Sequence, residues 1–253
     1  MRMAFAPLKV LLVVQVALAC SAVCQAQSAA SSATPSESCL KFKTGLSLGA
    51  RLPYTKAKLR QGQMLTIVAF GSSSTTGFGT FGFGGAFPDV MKEELLRLRP
   101  SAKIELINSG RVMDDLEDNI ARMDGDVLQH QPDLVIWQLG TNDAVWRGIA
   151  DNAEVILGDA VKRLKDAGAD VILLDLQYAP WVLATGRYTR MEKIIADVAR
   201  EQKVGQFPRF LLMKRAIEGG VTGLVSWDGL HNSAEGYKCI GLALGQMIDA
   251  EAR

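Results

Sequence analysis

The sequence predicts an α/β fold in which a parallel sheet of about five strands is covered by helices on both faces. Short, nearly continuous apolar runs alternate with longer segments whose apolar residues recur at helical spacing. Strands that are apolar on both faces are typical of parallel sheets buried between helices. The composition agrees, because 48% of the 253 residues are hydrophobic and 22% are charged, as in ordinary globular proteins.

Five apolar runs are predicted to form the strands, and five amphipathic segments are predicted to form the main helices. The predicted strands, of which the last is the weakest, are residues 64–70, 104–107, 134–139, 171–176 and 210–213. The predicted helices are residues 88–98, 115–130, 153–167, 188–202 and 234–250. Pro88 suits a first helical turn, and Gly168 suits the position just after a helix. In open parallel sheets the ligand site lies beyond the carboxyl ends of the strands, so the residues there are the candidates for chemistry.

The first 26 residues have the pattern of a secretory signal peptide. Arg2 and Lys9 provide a positive start, residues 10–19 are almost wholly apolar, and small residues precede the expected cleavage site. The apolar run is shorter than the roughly 20 residues that span a bilayer as a helix. We therefore expect export to the periplasm or the extracellular space. An uncleaved anchor and a lipoprotein signal ending at Cys20 are the alternatives.

Removal of this segment changes the charge of the chain little. It takes away Arg2 and Lys9 and no acidic residue, so the 28 basic residues become 26 against 27 acidic ones, a formal charge of about −1. A nearly neutral chain gives no electrostatic reason to expect a nucleic-acid partner or an anionic membrane surface. We expect no stable membrane insertion after signal cleavage.

The remaining chain is predicted to be one domain with a short leader. Residues 27–38 are rich in Ser and Ala and are predicted to be a flexible tether, followed by a single domain over residues 39–253. Cys39 and Cys239 are an even pair in a chain that is predicted to be exported. They either form a disulfide that ties the start of the domain to its last helix, or they are two buried thiols.

Hydroxyl side chains follow the first predicted strand. Ser72, Ser73 and Ser74 come directly after Gly71, at an expected turn from strand to helix. Such a turn can expose a nucleophilic oxygen and can offer backbone N–H groups to an oxyanion. A serine in this role requires a general base, and the base requires an orienting group.

His231 is the better of two candidates for the general base. It lies just before the last predicted helix, and Asp228 precedes it by three residues across a turn that contains Gly229. This spacing lets the carboxylate hold the imidazole in the tautomer that activates a serine. His130, the other histidine of the chain, ends a predicted helix, where a solvated or capping histidine is expected.

The second and third strand ends supply candidate oxyanion donors. Asn108 and Gly110 follow the second strand, and the sequence Gly-Thr-Asn-Asp at residues 140–143 follows the third. A glycine N–H and the amide of Asn142 can stabilise the negative charge of a tetrahedral intermediate. Each residue alone more often forms a turn or caps a helix. The strand ends together supply a nucleophile, a base, its orienting acid and oxyanion donors.

These segments resemble the four sequence blocks of the SGNH (GDSL-like) hydrolase superfamily, in the family's order. The resemblance extends from about residue 64 to residue 245 and is most specific at residues 140–143 and 228–237. It implies a three-layer αβα sandwich with a flavodoxin-like parallel sheet. It also implies esterase, lipase or thioesterase activity that needs no metal or other cofactor.

The resemblance assigns a role to each candidate. Ser73 is the nucleophile, and Asp228 and His231 complete a catalytic triad. The oxyanion hole consists of the backbone N–H groups of Ser73 and Gly110 and the side chain of Asn142.

The chain departs from the family pattern at two positions. Ser72 stands where the family usually has an aspartate, and Met113 stands where the second block often has a glycine. The aspartate is not a member of the triad, so activity is expected to survive with altered local hydrogen bonding. Ser72 and Ser74 remain alternative nucleophiles, since only the motif alignment favours Ser73.

Other interpretations of the same residues are weaker or stay open. Thr75 stands where the nucleophile elbow of α/β-hydrolases requires a second glycine. Residues 77–82 match G-x-G-x-x-G, with Glu105 near the expected acidic position, but they neither open the turn after the strand nor lead straight into a helix. An acyltransferase with the same triad and a non-catalytic glycan- or acyl-binding module remain alternatives.

The substrate is predicted only by class. Export favours an extracytoplasmic ester, either an acetylated glycan or a small lipid or acyl ester. Phe78 and Trp146 are predicted to bind it. Other aromatic residues near the strand ends are Phe81, Phe83, Tyr178 and Trp181. We expect at least half of all these aromatic residues to pack in the core or in loops and not to bind substrate. The sequence specifies neither the acyl chain length nor the oligomeric state.

Overall fold

The structure is a computed structural model that describes residues 33–80 and 85–253. The predicted signal peptide, residues 1–26, and residues 27–32 of the predicted tether lie outside the described residues. Among the helices of the described part, none has the length and apolar character needed to cross a membrane.

A five-stranded sheet with only parallel pairings forms the centre of the domain. The strands are β1 (Met64–Gly71), β2 (Lys103–Gly110), β3 (Leu134–Gln138), β4 (Asp170–Leu174) and β5 (Gly205–Phe207). Their order is β2-β1-β3-β4-β5. The predicted α/β fold is confirmed, and the first four predicted strands lie where the sequence places them, with ends that differ by a few residues.

Helices connect the strands and cover both faces of the sheet. They are α1 (Pro35–Leu40), α2 (Pro53–Gln61), α3 (Ser73–Thr76), α4 (Phe87–Leu98), α5 (Leu116–Asp126), α6 (Ala153–Asp166), α7 (Pro180–Ala184), α8 (Tyr188–Gln202), α9 (Arg209–Glu218) and α10 (Ala234–Glu251). Short 3-10 turns cover Lys41–Lys43 and Leu128–His130, and a short π-helix covers Asp143–Arg147. The five predicted helices are present, and α1, α2, α3, α7 and α9 are additional.

The core has two halves because successive residues of a strand point to opposite faces of the sheet. On one face, Phe70 and Trp137 pack with buried side chains of α5, α6 and α8. On the other face, Ile67 and Ile136 pack with buried side chains of α4, α9 and α10. The result is a three-layer αβα arrangement that fixes the carboxyl ends of β1, β3 and β4 side by side.

The predicted fifth strand at residues 210–213 is wrong. These residues lie in α9, where Leu212, Met213 and Ala216 recur at helical spacing and are buried. The fifth strand is the preceding segment Gly205–Phe207, which pairs with β4. Pro208, which lacks the N–H that a strand partner would use, separates the two elements. A three-residue strand with one large apolar residue leaves little periodic signal in the sequence.

The predicted tether is too long at its carboxyl end. Helix α1 begins at Pro35, and Thr34 and Glu37 form a reciprocal capping box at its start. Ser36 is buried, and its backbone N–H donates to Glu235 of α10 at 3.0 Å. Cys39 forms a disulfide with Cys239, so α1 is joined covalently to α10. Residues 34–38 therefore belong to the folded domain.

Candidate active site

The candidate nucleophile lies where β1 turns into α3. Gly71 ends the strand and Ser73 is the first residue of the helix. Gly71 has φ 147°, which favours glycine, and a Cβ atom there would collide with the carbonyl oxygen of Gln138. The close approach of β1 and β3 thus requires a glycine here and places Ser73 just beyond the carboxyl end of β1.

Ser73, His231 and Asp228 form a continuous chain of contacts. The Ser73 Oγ lies 2.8 Å from His231 Nε2, and His231 Nδ1 lies 2.7 Å from Asp228 Oδ2. A carboxylate can only accept a hydrogen bond, so Nδ1 carries the proton and Nε2 is left to accept the hydroxyl proton of Ser73. The structure brings together the three side chains that the sequence singled out, at hydrogen-bonding distances.

The loop before α10 holds Asp228 in place. Its Oδ1 accepts the backbone N–H groups of Leu230 and His231, each at 2.9 Å. Partial burial acts to raise the pKa of Asp228, but these hydrogen bonds and the contact with His231 outweigh it and lower the pKa below its usual range. The indole N–H of Trp181 donates to the carbonyl oxygen of Asp228 at 3.0 Å. Asp228 is therefore ionised and oriented towards the imidazole.

A buried glutamine organises the hydrogen bonds of Ser72, the residue that stands where the family usually has an aspartate. Gln138 Oε1 accepts from the N–H and the hydroxyl of Ser72, both at 2.9 Å, and from the hydroxyl of Thr75 at 3.2 Å. Three donors from one turn thus converge on one oxygen at the end of β3. This arrangement fixes the nucleophile turn, and the side chain of Gln138 was not identified from the sequence.

The structure argues against the predicted role of Gly110 as an oxyanion donor. Its N–H donates to Asn108 Oδ1 at 3.0 Å, within the same turn. A Cβ atom at Gly110 would lie 2.8 Å from the backbone nitrogen of Thr76, so the glycine permits close packing of β2 against α3. Close packing explains why a glycine stands at this position. Its N–H is already bonded to Asn108 and is not free for an oxyanion.

Met113 is the better candidate for the second backbone donor. It has φ 72°, in the left-handed region, so it keeps the backbone conformation that favours glycine at this point of the family pattern. The carbonyl oxygen of the next residue, Asp114, accepts from Asn142 Nδ2 at 2.7 Å. The loop after β2 is thereby joined to the turn after β3.

The turn after β3 is linked to the histidine loop through Gln177. The Thr141 hydroxyl donates to Gln177 Oε1 at 2.8 Å, and Gln177 Nε2 donates to the carbonyl oxygen of Leu230 at 3.0 Å. Gln177 is buried. A single amide therefore ties the turn that carries Asn142 to the loop that carries His231.

Asp143 is a buried carboxylate in the same turn. Its Oδ1 accepts the N–H of Leu116, the first residue of α5, at 3.2 Å. Burial raises the pKa of Asp143 to about 6, and the nearby carboxylates of Asp115 and Glu117 act in the same direction. Its Oδ2 is buried and has no hydrogen-bond partner among the described residues.

Two aromatic residues contact the triad, and a third packs against one of them. The ring of Phe78 lies 4.7 Å from that of His231, and its backbone oxygen accepts the hydroxyl of Tyr237 at 2.8 Å. The rings of Trp146 and Trp181 lie 5.9 Å apart, and both side chains are about half exposed. Phe81 and Phe83 lie outside the described residues.

Two other sequence candidates lie away from this arrangement. His130 ends the 3-10 turn before β3, at the opposite edge of the sheet from Ser73. Gly77 follows α3, so the glycine-rich segment does not open the strand-to-helix turn as a dinucleotide site requires. Within residues 33–80 and 85–253, no three His, Cys, Asp or Glu side chains are grouped so that they could hold a metal ion.

Residues 38–253 match the Non-GDSL lipase-like family, and the chain belongs to this family. The match begins within α1 and extends to residue 253. The SGNH-type resemblance seen in the sequence is confirmed at this level.

Two curated relatives share sequence with half of the chain. An arylesterase of Vibrio mimicus and the esterase TesA of Pseudomonas aeruginosa are each 29% identical over 128 residues, 50% of this chain. These alignments span 62% and 60% of the two relatives, so the chain matches somewhat less than two thirds of their length.

Solved structures share the fold. An acetylxylan esterase from Geobacillus stearothermophilus superposes with a TM-score of 0.62 and 22% identity, over 73% of this chain and 94% of that one. A lipase/acylhydrolase from Enterococcus faecalis gives a TM-score of 0.61 and 24% identity, over 74% and 96%. At these identities the likeness establishes the architecture alone.

Proposed function

We propose that this protein is an exported serine esterase that hydrolyses carboxylic esters through Ser73, His231 and Asp228. The observation that carries the proposal is the unbroken chain of contacts from the Ser73 hydroxyl through His231 to Asp228. Membership of a lipase-like family and two relatives named as esterases support the same reaction class.

The reaction proceeds by two acyl transfers. Ser73 Oγ attacks the ester carbonyl as His231 Nε2 accepts its proton, and the ionised Asp228 stabilises the imidazolium. The tetrahedral oxyanion collapses, the bond to the alcohol oxygen breaks, and His231 returns the proton to that oxygen. Water then attacks the acyl-enzyme, giving its proton to His231, and the carboxylic acid leaves as Ser73 recovers its hydroxyl proton.

Three N–H donors are proposed for the oxyanion. The N–H of Ser73 opens α3 and has no acceptor within that helix. The N–H of Met113 takes the place expected of Gly110. Asn142 has two amide hydrogens, and the bond to Asp114 uses one and orients the other.

Export is supported by the disulfide as well as by the signal-like leader. Cys39 and Cys239 are bonded across 200 residues. Structural disulfides persist in oxidising compartments such as the periplasm and the extracellular space. Detection of the processed chain outside the cytoplasm, with residues 1–26 removed, tests this part of the proposal.

Turnover of 4-nitrophenyl acetate tests the catalytic assignment. Ser73→Ala and His231→Ala are each expected to lower kcat by about 10⁴-fold or more while the melting temperature stays near that of the wild type. Ser47→Ala, at an exposed serine, and His130→Ala, at the other histidine, are the matched controls and should retain full turnover. Near-normal turnover by Ser73→Ala would overturn the proposal.

A further inference from the structure

A polar cavity adjoins the turn that carries Asn142. Its volume is about 410 Å³, within the range typical of small-molecule sites. It is bordered by the start of α5 on one side and by the π-helix after β3 and the chain that follows it on the other. Four of its lining residues are charged: Asp115, Glu117, Asp143 and Arg147.

Asp143 lines this cavity and carries an acceptor without a partner among the described residues. The residue is only 6% exposed, and its Oδ2 has no partner among the described residues, whereas Oδ1 is held by the Leu116 N–H. Oδ2 has almost no accessible surface in the unliganded domain, so a ligand hydroxyl would reach it after a small rotation of the carboxylate. That bond would recover the free energy that a buried acceptor without a donor costs. The proposed ester hydrolysis assigns no role to this oxygen.

Arg147 provides a donor at the mouth of the same cavity. Its nearest carboxylates are loose partners, because Nε lies 4.0 Å from Asp115 and Nη2 lies 3.8 Å from Asp118. More than half of the Arg147 side chain is exposed. The guanidinium can therefore turn from these contacts to a neutral polar ligand.

Trp146 adds a flat apolar surface on the same π-helix. Its side chain is 48% exposed and packs against Trp181, whose indole N–H is bonded to the backbone of Asp228. By contrast, Trp137 is fully buried in the core. Trp146 does not line the cavity, but it directly precedes Arg147, which does. Two exposed tryptophans packed together form the kind of apolar surface that marks a binding site.

The combination favours a sugar ring over an acyl chain or an anionic ligand. A pyranose offers an apolar C–H face to an indole and hydroxyl groups to carboxylate and guanidinium side chains. An acyl chain has no donor for Asp143 Oδ2, and an anionic ligand would meet the carboxylates of Asp115, Glu117 and Asp143. We propose that this cavity and Trp146 form a sugar subsite, so that the substrates are O-acylated carbohydrates whose ester group is cleaved at Ser73. This inference rests on the proposed esterase function.

The test compares two substrates in two variants. The probes are an acetylated xylooligosaccharide, which presents sugar rings, and 4-nitrophenyl acetate, which carries the same acyl group without a sugar. We expect Asp143→Asn and Trp146→Ala each to lower the ratio of kcat/KM for the first probe to that for the second by about tenfold. The loss should lie mainly in KM for the oligosaccharide.

Matched control variants exist at the other end of the sheet. Asp170 is likewise 6% exposed, and Tyr54 is likewise 48% exposed, but Asp170 begins β4 and Tyr54 lies in α2. Asp170→Asn and Tyr54→Ala should leave the ratio unchanged. If Asp143→Asn does not fold, Trp146→Ala and its control decide the test.

Three results would overturn the sugar subsite. Equal losses on both probes would make Asp143 and Trp146 structural residues. Greater losses on tributyrin than on the oligosaccharide would assign the surface to acyl chains or lipids. If the wild type turns over 4-nitrophenyl acetate but not the oligosaccharide, the sugar subsite is wrong and the esterase assignment survives. If it turns over neither probe, the esterase assignment is wrong as well.

Discussion

Two aspartates at opposite edges of the sheet have similar surroundings and different uses. Asp143 follows β3 at the carboxyl edge, and Asp170 begins β4 at the amino edge. Each is 6% exposed, each accepts an N–H near a helix start, and burial raises the pKa of each. The carboxylate of Asp170 accepts backbone N–H groups of α2, whereas one oxygen of Asp143 has no partner within the described part of the chain.

The difference suggests that polar residues at the amino edge stabilise the fold and that those at the carboxyl edge serve the proposed chemistry. At the amino edge, the carboxylate of Asp170 satisfies the N–H at the start of α2. The carboxyl edge carries the contact between Ser73 and His231, and there Gln138 Nε2 and Asp143 Oδ2 have no hydrogen-bond partner among the described residues. Variants at the two edges should therefore fail in different ways, the first in stability and the second in turnover.

Among variants outside the triad, the largest effect is expected from Asn142→Ala. Loss of an oxyanion donor typically lowers kcat by roughly 10²–10³-fold, and KM should change little because the ground state does not carry the charge. Steady-state kinetics on 4-nitrophenyl acetate measure the effect, with the exposed Asn152→Ala as the control. A loss smaller than threefold would remove Asn142 from the oxyanion hole.

The second effect concerns the pH dependence of stability in Asp143→Asn. In the folded protein the pKa of Asp143 is raised from 3.8 to about 6, so the native state keeps this proton to higher pH than the unfolded state. The stability associated with the protonated form is complete below about pH 4 and is lost as pH rises through about 6, a change of about 3 kcal/mol.

Urea unfolding between pH 4 and pH 7 measures this change. The wild type should lose stability relative to Asp143→Asn over this interval, because the variant has no carboxylate to ionise. Parallel curves for the two proteins would show that Asp143 ionises without a burial penalty.

A smaller effect on stability is expected from Asp170→Ala. The substitution leaves the Thr55 N–H at the start of α2 without its acceptor, and loss of such a cap costs about 1–2 kcal/mol. Since this edge has no part in the proposed chemistry, kcat of the folded variant should equal that of the wild type. A fall in kcat at temperatures well below unfolding would show that the two edges are coupled.

The smallest effect is expected from Gln177→Met, which keeps the length of the side chain but removes both of its hydrogen bonds. The turn of Asn142 and the loop of His231 then lose their direct link, and we expect kcat to fall about tenfold. Gln206→Met, at a glutamine that bonds Asp175 instead, is the matched control. Equal kinetic effects of the two substitutions would deny Gln177 a specific role.

The sequence predicted most of the layered fold because long apolar runs and helical spacing carry strong signals. The prediction failed at β5, because three residues are too few to show a strand period. The apolar residues of α9 were interpreted as a strand instead. It also failed at α1, where a Ser- and Ala-rich composition suggested flexibility although Thr34 and Glu37 form a capping box. In both cases packing against the rest of the domain decided the structure.

The triad was predicted because strand ends converge and the histidines were few. The positions of Gln138 and Gln177 gave no such signal, since a glutamine in an apolar strand or after one has many ordinary explanations. Met113 takes the place of Gly110 as the proposed oxyanion donor for two structural reasons. The N–H of Gly110 is already bonded, and Met113 has a positive φ although it is not a glycine. Neither fact can be read from residue type.

The most direct test of the central assignment is labelling of the purified mature domain with a fluorophosphonate probe, followed by mass mapping of the modified residue. We expect a single modification at Ser73 in the wild type, and none in His231→Ala under the same conditions. Modification at Ser72 or Ser74, undiminished labelling of His231→Ala, or no labelling of a folded wild-type sample would show that Ser73 and His231 do not act as nucleophile and base.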